Sequence, residues 1–219
     1  MKVNPPSRPG HDDPDQPRRR RTQAERSAAT RDALLRAAKE LFAERGYAGA
    51  GRELVAERAG VTRGALYHHF PNKETLFRAV VELVEQESSH RIATAAMVGA
   101  TPLDRLRLGC HEFLDSALDP AMQRIVLVDA PAVLGWEAWR EIDARYGYAL
   151  LREGVAEVVA QPPAVRSSVE VLTHLLLGAL NEAAFLVANA EHPRVTRREV
   201  GETVDDLLER FVGGAGSTA

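Results

Sequence analysis

The stretch Gly60–Phe70, GVTRGALYHHF, limits what this chain can fold into more than any other. A glycine turns the chain without steric cost. Two residues later a threonine can cap the next helix, and a short helix, Arg63 to His69, begins with the small residues Gly64 and Ala65. A short helix that carries small and polar residues at its start can approach another surface closely. The pattern implies a helix-turn-helix that presents its second helix to a DNA groove.

The residues before the turn complete a three-helix head. Leu34, Ala37, Ala38, Leu41 and Phe42 recur at helical spacing and predict a first helix to about Arg45. Thr22 and Glu25 form a capping box for it, and Gly46 ends it. A shorter helix is expected from Arg52 to Ala59, with Leu54, Val55 and Ala59 inward. Pro71 and Asn72 then break the chain before a fourth helix starts at Lys73.

The segments AAKELFAERGY and VAERAGVTRGALYHHFPNKETLFRAVV resemble the DNA-binding head of the tetracycline-repressor (TetR/AcrR) family over residues 28 to 82. The turn glycine, the aromatic-His-His-Phe run and Pro-Asn-Lys-Glu all fall at the family's mutual spacing. The resemblance implies that Thr62, Arg63, Gly64 and Ala65 lie closest to base edges and phosphates, with Tyr67 and His68 on the DNA side. Arg63 is placed to pair with a guanine or to hold a phosphate, and Ala65 to touch a thymine methyl. Leu66 and Phe70 belong in the core, and His69 is read as structural. Lys73 adds a cation at the start of the fourth helix. At Ala50-Gly51-Arg52 the chain departs from the family, which has a phosphate-binding Ser or Thr there; Arg52 is the expected substitute, with Gly51 a weak cap.

Charge divides in the same place. Residues 1 to 78 hold 16 Lys and Arg against 10 Asp and Glu, a net of +6, whereas residues 79 to 219 hold 12 against 21, a net of −9. A basic head on an acidic body orients the chain toward a polyanion and makes affinity salt-dependent. Residues 1 to 21 contain five prolines, three aspartates and the run Arg18 to Arg21, and read as a disordered basic arm. Two readings of the arm stay open: entry into the minor groove, or loose contact with phosphates. The arm lacks the apolar run of a signal peptide, and no later stretch reads as an uninterrupted apolar span, so the expectation is a cytoplasmic protein without membrane association. The single cysteine, Cys110, excludes an internal disulfide and is read as a small buried hydrophobe.

The expected organisation is all-α: the basic arm 1–21, the helix-turn-helix domain 22–72 and a helical regulatory and dimerisation domain 73–219, each of the last two with a core of its own. Body helices are expected over 73–98, 102–118, 120–128, 136–160, 165–190 and 196–212, with a short turn near 131–134 and prolines at the breaks. The helix at 165–190 carries a long apolar face, Val171, Leu175, Ala179, Leu186 and neighbours, rich in small residues in its second half. The resemblance implies that this helix and the one at 196–212 form a homodimer interface, and that the body encloses a site for a small-molecule effector. Phe113, Trp136, Trp139, Tyr146, His174, Asn181 and Phe185 are the pocket candidates, because they combine large apolar surfaces with a few polar groups. Ordinary core packing for the tryptophans and a hydrogen bond across the dimer for His174 and Asn181 remain open. His111, Glu112 and Asp115 lie within one helical turn but are read as surface groups, so no metal and no cofactor is expected. There is no glycine-rich phosphate loop, nucleophile elbow or zinc-protease motif, so no enzyme is expected.

These readings converge on a repressor that binds double-stranded, palindromic operator DNA as a homodimer and is released by a small molecule. The competing readings are a ligand-sensing helical module without site-specific DNA binding, and an architectural DNA binder indifferent to ligands.

Overall fold

The computed structural model describes residues 22–161 and 168–213. The arm at 1–21 and the expected helix start at 165–167 lie outside the described residues. Within them the chain forms helices and no strand.

The head consists of α1 (Gln23–Gly49), α2 (Arg52–Arg58) and α3 (Arg63–His69). Thr22 and Glu25 make the reciprocal capping box at the start of α1. Gly46 sits inside the assigned span of α1 with φ 67°, so regular helix stops there, where the sequence places the stop. Gly60 turns the chain between α2 and α3 at φ 65°. Thr62 caps α3 by accepting from the Ala65 amide at 3.2 Å.

The body begins with α4 (Lys73–Ala96), opened by Asn72, whose Oδ1 accepts from the Thr75 amide at 2.7 Å. It continues with α5 (Pro102–Ser116), and then with a helical run that starts at Pro120. This run is π-helical over Met122–Asp129 and ends as α6 (Ala130–Leu134). The expected helix 120–128 and the turn near 131–134 are therefore one element. Pro131 has no amide to donate inside a helix, and the chain accommodates it by widening into i→i−5 bonds, as from Ala130 N to Ile125 O. The expected single helix 136–160 is likewise interrupted. It divides into α7 (Trp136–Asp143), a π turn over Ala144–Tyr148, and α8 (Ala149–Val159). Finally α9 (Val169–Ala188) packs on α5, α8 and α10 (Pro193–Gly213).

The expectation of a separate core for each domain does not describe the packing. The larger buried cluster runs from Leu34, Leu41, Phe42, Val55, Leu66 and Phe70 through Leu76, Phe77 and Val80 of α4 into Ile125, Trp139 and Ile142 of the body. A second cluster, including Leu106, Leu114, Val155, Leu180 and Leu208, holds α5, α8, α9 and α10 together. The expectation that no segment is apolar enough to span a membrane fails for α9, whose length and mean hydropathy of 1.7 meet that test by composition alone. In the fold, however, α9 is a bundle helix.

Within this continuous packing, head and body approach most closely at the end of α1. The amide of Tyr47 donates to Asp129 Oδ2 at 2.6 Å, and Arg124 Nε donates to the same oxygen at 3.3 Å. The Arg124 guanidinium lies on Gly46, where a Cβ would stand 2.2 Å from Nη2. Gly46→Ala should therefore lower the unfolding free energy by about 1–3 kcal/mol, by steric strain at positive φ and by displacing Arg124; urea denaturation of the two proteins checks this.

Two acids lie in the interior. Glu85 on α4 and Asp143 on α7 are 8% and 6% exposed and close enough to repel each other. Burial, with Asp143 adding, pushes the Glu85 carboxyl up to about 8, and burial raises Asp143 as well. The native state thus keeps a proton that the unfolded chain loses near the ordinary value of about 4.3. This contribution to stability is complete below that pH and is lost as pH rises toward 8, by up to about 1.4 kcal/mol per pH unit. Glu85→Gln should raise the melting temperature at pH 8, with the gain shrinking toward pH 5. Melting curves at the two pH values give the check.

Candidate nucleic-acid interface and ligand cavity

At the tip of the head Thr62, Arg63, Gly64, Tyr67 and His68 form one exposed strip, while Ala65 is half-buried. Leu66 and Phe70 are buried beneath them, on the side the sequence assigned to the core. Arg63, the first residue of α3, makes no hydrogen bond or ion pair among the described residues. A Cβ on Gly64 would meet nothing nearer than Thr62 Oγ1 at 4.0 Å, so packing within the chain does not require glycine there. Glycine inside a helix costs about 1 kcal/mol relative to alanine, and its use here leaves room for something outside the protein.

The strip is braced from behind. Arg52 Nη1 donates to the Pro71 carbonyl at 2.9 Å, and its guanidinium stacks over the Tyr67 ring at 4.3 Å. The Tyr67 hydroxyl donates to Glu53 Oε1 at 3.3 Å. Bonding to its own backbone amide, helped by Arg63, Tyr67 and Arg52, holds the Glu53 carboxyl below its usual range. Arg52 thus ties the start of α2 to the end of α3, and only its remaining donors can serve the phosphate role inferred for it. His69 is half-buried behind the strip, and burial, with the neighbouring His68 and Arg31, pushes its imidazole down. Lys73 places its ammonium over the Tyr47 ring at 4.5 Å and 3.4 Å from the Ala48 carbonyl, and burial lowers its pKa. It is anchored beside the end of α1 rather than extended into solvent.

In the body, α4, α5, α8 and α9 enclose a cavity of about 260 Å³ with predominantly apolar walls. Three glycines inside the helical run, Gly109, Gly147 and Gly154, face it. A Cβ on Gly154 would press on Leu106 at 3.3 Å, and one on Gly109 on Ile92 at 3.4 Å. Cys110 also lines the cavity, and burial pushes its thiol up to about 12, leaving it a neutral apolar wall.

Of the seven pocket candidates only Phe113 lines this cavity. Trp136 is 63% exposed and lies against Trp139, which is itself core. Tyr146 and Phe185 pack on the larger buried cluster. Asn181 is half-buried with its Nδ2 unpaired, and His174 lies against Tyr148, ring centroids 4.8 Å apart, in a separate open cleft. Trp139, Tyr146 and Phe185 serve packing, and most of the walls are aliphatic and glycine positions that resemble ordinary core in a sequence. Helix-interior glycines on three different segments were the available signal. The carboxylates and imidazole considered for a metal take other partners: His111 bonds Asp205 and Arg197, Asp115 pairs with Arg197, and Glu112 pairs with Arg91.

Comparison with known proteins agrees with this arrangement. Residues 34–80 match the family model described as bacterial regulatory proteins, tetR family, and residues 103–211 match that of the tetracyclin repressor-like C-terminal domain. A crystallised TetR-family transcriptional regulator from Pectobacterium atrosepticum shares 33% identity, with a TM-score of 0.73 over 87% of this chain and 97% of that one. The TetC protein of transposon Tn10 from Escherichia coli is 26% identical over 71% of this chain and 79% of its own length. The regulator CymR of Pseudomonas putida is 36% identical over 53% of this chain and 59% of its own. With the braced strip on a helix-turn-helix and a helical body matched along nearly its whole length, the chain belongs to the TetR family of DNA-binding transcriptional regulators.

Proposed function

We propose that this chain is a cytoplasmic repressor that holds a palindromic operator as a homodimer, through Thr62, Arg63, Gly64, Ala65, Tyr67 and His68, with Arg52 and Lys73 steadying the backbone contacts. A small molecule in the body cavity releases it. One observation carries the reading: α4 is continuous from the head to the cavity. Lys73 at its start sits on Tyr47 and Ala48, and Ile92, Ala93 and Ala96 near its end wall the cavity. At 24 residues it is about 36 Å long, so a tilt imposed at the cavity becomes a displacement of the recognition strip. The effector acts only if it favours one separation of the two heads over the other.

The dimer reading rests on α9 and α10. Val171, Leu175 and Leu186 on α9 are 56%, 63% and 56% exposed, and Leu207 on α10 is 44% exposed. Apolar side chains aligned on one helix face are covered economically by a second copy. Two strips about 34 Å apart read two half-sites one helical turn apart, which one short helix cannot do.

Selection of bound duplexes from a random library should enrich a palindrome; absence of any enriched site would overturn the proposal. Arg63→Ala should relax site choice, at a cost of about 1–3 kcal/mol against the preferred site. Lys73→Ala should weaken all duplexes and reduce the slope of log affinity against log salt by about one unit. Affinities at two salt concentrations decide between these. Gly154→Leu, which fills the cavity, should leave operator binding within threefold of the parent while abolishing release by effector, measured by titrating the bound operator.

A further inference from the structure

We propose that the effector of this chain is an organic cation, an amphipathic amine whose ammonium group lies against Asp143 while its apolar part occupies the adjoining body cavity. The proposal rests on the reading of that cavity as the effector site and names the chemistry it selects.

Glu85 and Asp143 face each other from α4 and α7, and neither carboxylate has an ion-pair partner among the described residues. Asp143 Oδ2 is buried without any hydrogen bond, although Asp143 lines the open cleft beside the cavity. Arg140, one turn earlier on α7, acts on Asp143 electrostatically, but its guanidinium is directed over the Trp136 ring at 5.7 Å and makes no ion pair with it. The other charged groups of the cleft are Glu137 and Glu141 on α7 and Glu170 on α9. Of these, Glu141 is paired with Arg78 and Arg145. The cleft therefore holds four carboxylates against Arg140, with Tyr148 and His174 as its aromatic side.

The cleft and the cavity are adjacent. Leu177 lines both. Gly147 faces the cavity, and its Cβ position is 3.4 Å from Asp143 Oδ1. The π turn over Ala144–Tyr148 brings this about, because i→i+5 winding puts Asp143 and Tyr148 on one side of the helix. The apolar chamber thus adjoins a cleft that Asp143 lines with an unpaired carboxylate oxygen. A neutral or anionic ligand leaves that carboxylate without a counter-charge. An ammonium supplies both the charge and up to three donors, and forms the stronger, charge-assisted hydrogen bonds.

The test compares 4-phenylbutylamine with 4-phenylbutanol, similar in shape but differing in charge, by calorimetric titration of the full chain at pH 7.5. The amine should bind at least tenfold more tightly than the alcohol. Asp143→Asn should remove most of that preference and leave the affinity for the alcohol unchanged. The substitution replaces a buried acid by a neutral side chain of the same shape, so folding is retained, and circular dichroism verifies it. Equal affinity for the two probes, or a preference for the amine that survives the substitution, would overturn the inference while the cavity remains an effector site. Failure of both probes to bind to a chain that still binds its operator would overturn the effector-site reading with it.

Discussion

The carboxylate of Asp129 does more to set the form of this molecule than any other single group. It accepts from the Tyr47 amide and from Arg124, and Arg124 in turn covers Gly46, so the end of α1 is clamped to the π-helical segment of the body. Everything at the tip of the head inherits its orientation from that clamp. Tyr47, held by its own amide, packs against Phe42 and Phe77 and carries the Lys73 ammonium on its ring. The first residue of α4 and the last turn of α1 are therefore registered against each other by one aromatic side chain. Because the buried cluster continues from the head into the body, the two halves meet through packed side chains, which have few alternative arrangements, rather than through a flexible linker.

The head was legible because its determinants are local. A glycine at positive φ, a threonine cap and an apolar face at helical spacing depend on residues within a few positions of one another, and each of the three head helices falls within a few residues of its expected bounds. The Asn72 cap is of the same kind. The body was legible as helical but not in its irregularities. Trp136 to Ala160 reads as one helix because nothing in the local pattern records the π turn at Ala144–Tyr148, which depends on packing against α4 and α9. The π winding before Pro131 is a response to a proline, and only the proline is visible in the sequence.

The cavity shows the limit of compositional reasoning more sharply. Aromatic and polar residues are the expected lining of a binding site, yet Trp139, Tyr146 and Phe185 are used as filling between helices. The space itself is defined by what is absent: side chains at Gly109, Gly147 and Gly154, whose convergence only a three-dimensional arrangement reveals. Arg52 was similarly ambiguous. Its charge suggested an external ligand, and its first partners are an internal carbonyl and an internal ring, which a sequence cannot distinguish from phosphate.

Those three glycines have a further consequence for how such a protein changes over generations. Each occupies a helical position where alanine is intrinsically preferred, and replacement removes roughly one carbon's worth of chamber; at Gly109 and Gly147 the added carbon meets its neighbour at ordinary contact distance, whereas at Gly154 it presses on Leu106 and the gain in helix propensity is set against that crowding. Descendants of this chain can therefore narrow or reshape the chamber one methyl group at a time, with the DNA-facing strip untouched. Selectivity for the guest and grip on the genome are then free to diverge at independent rates.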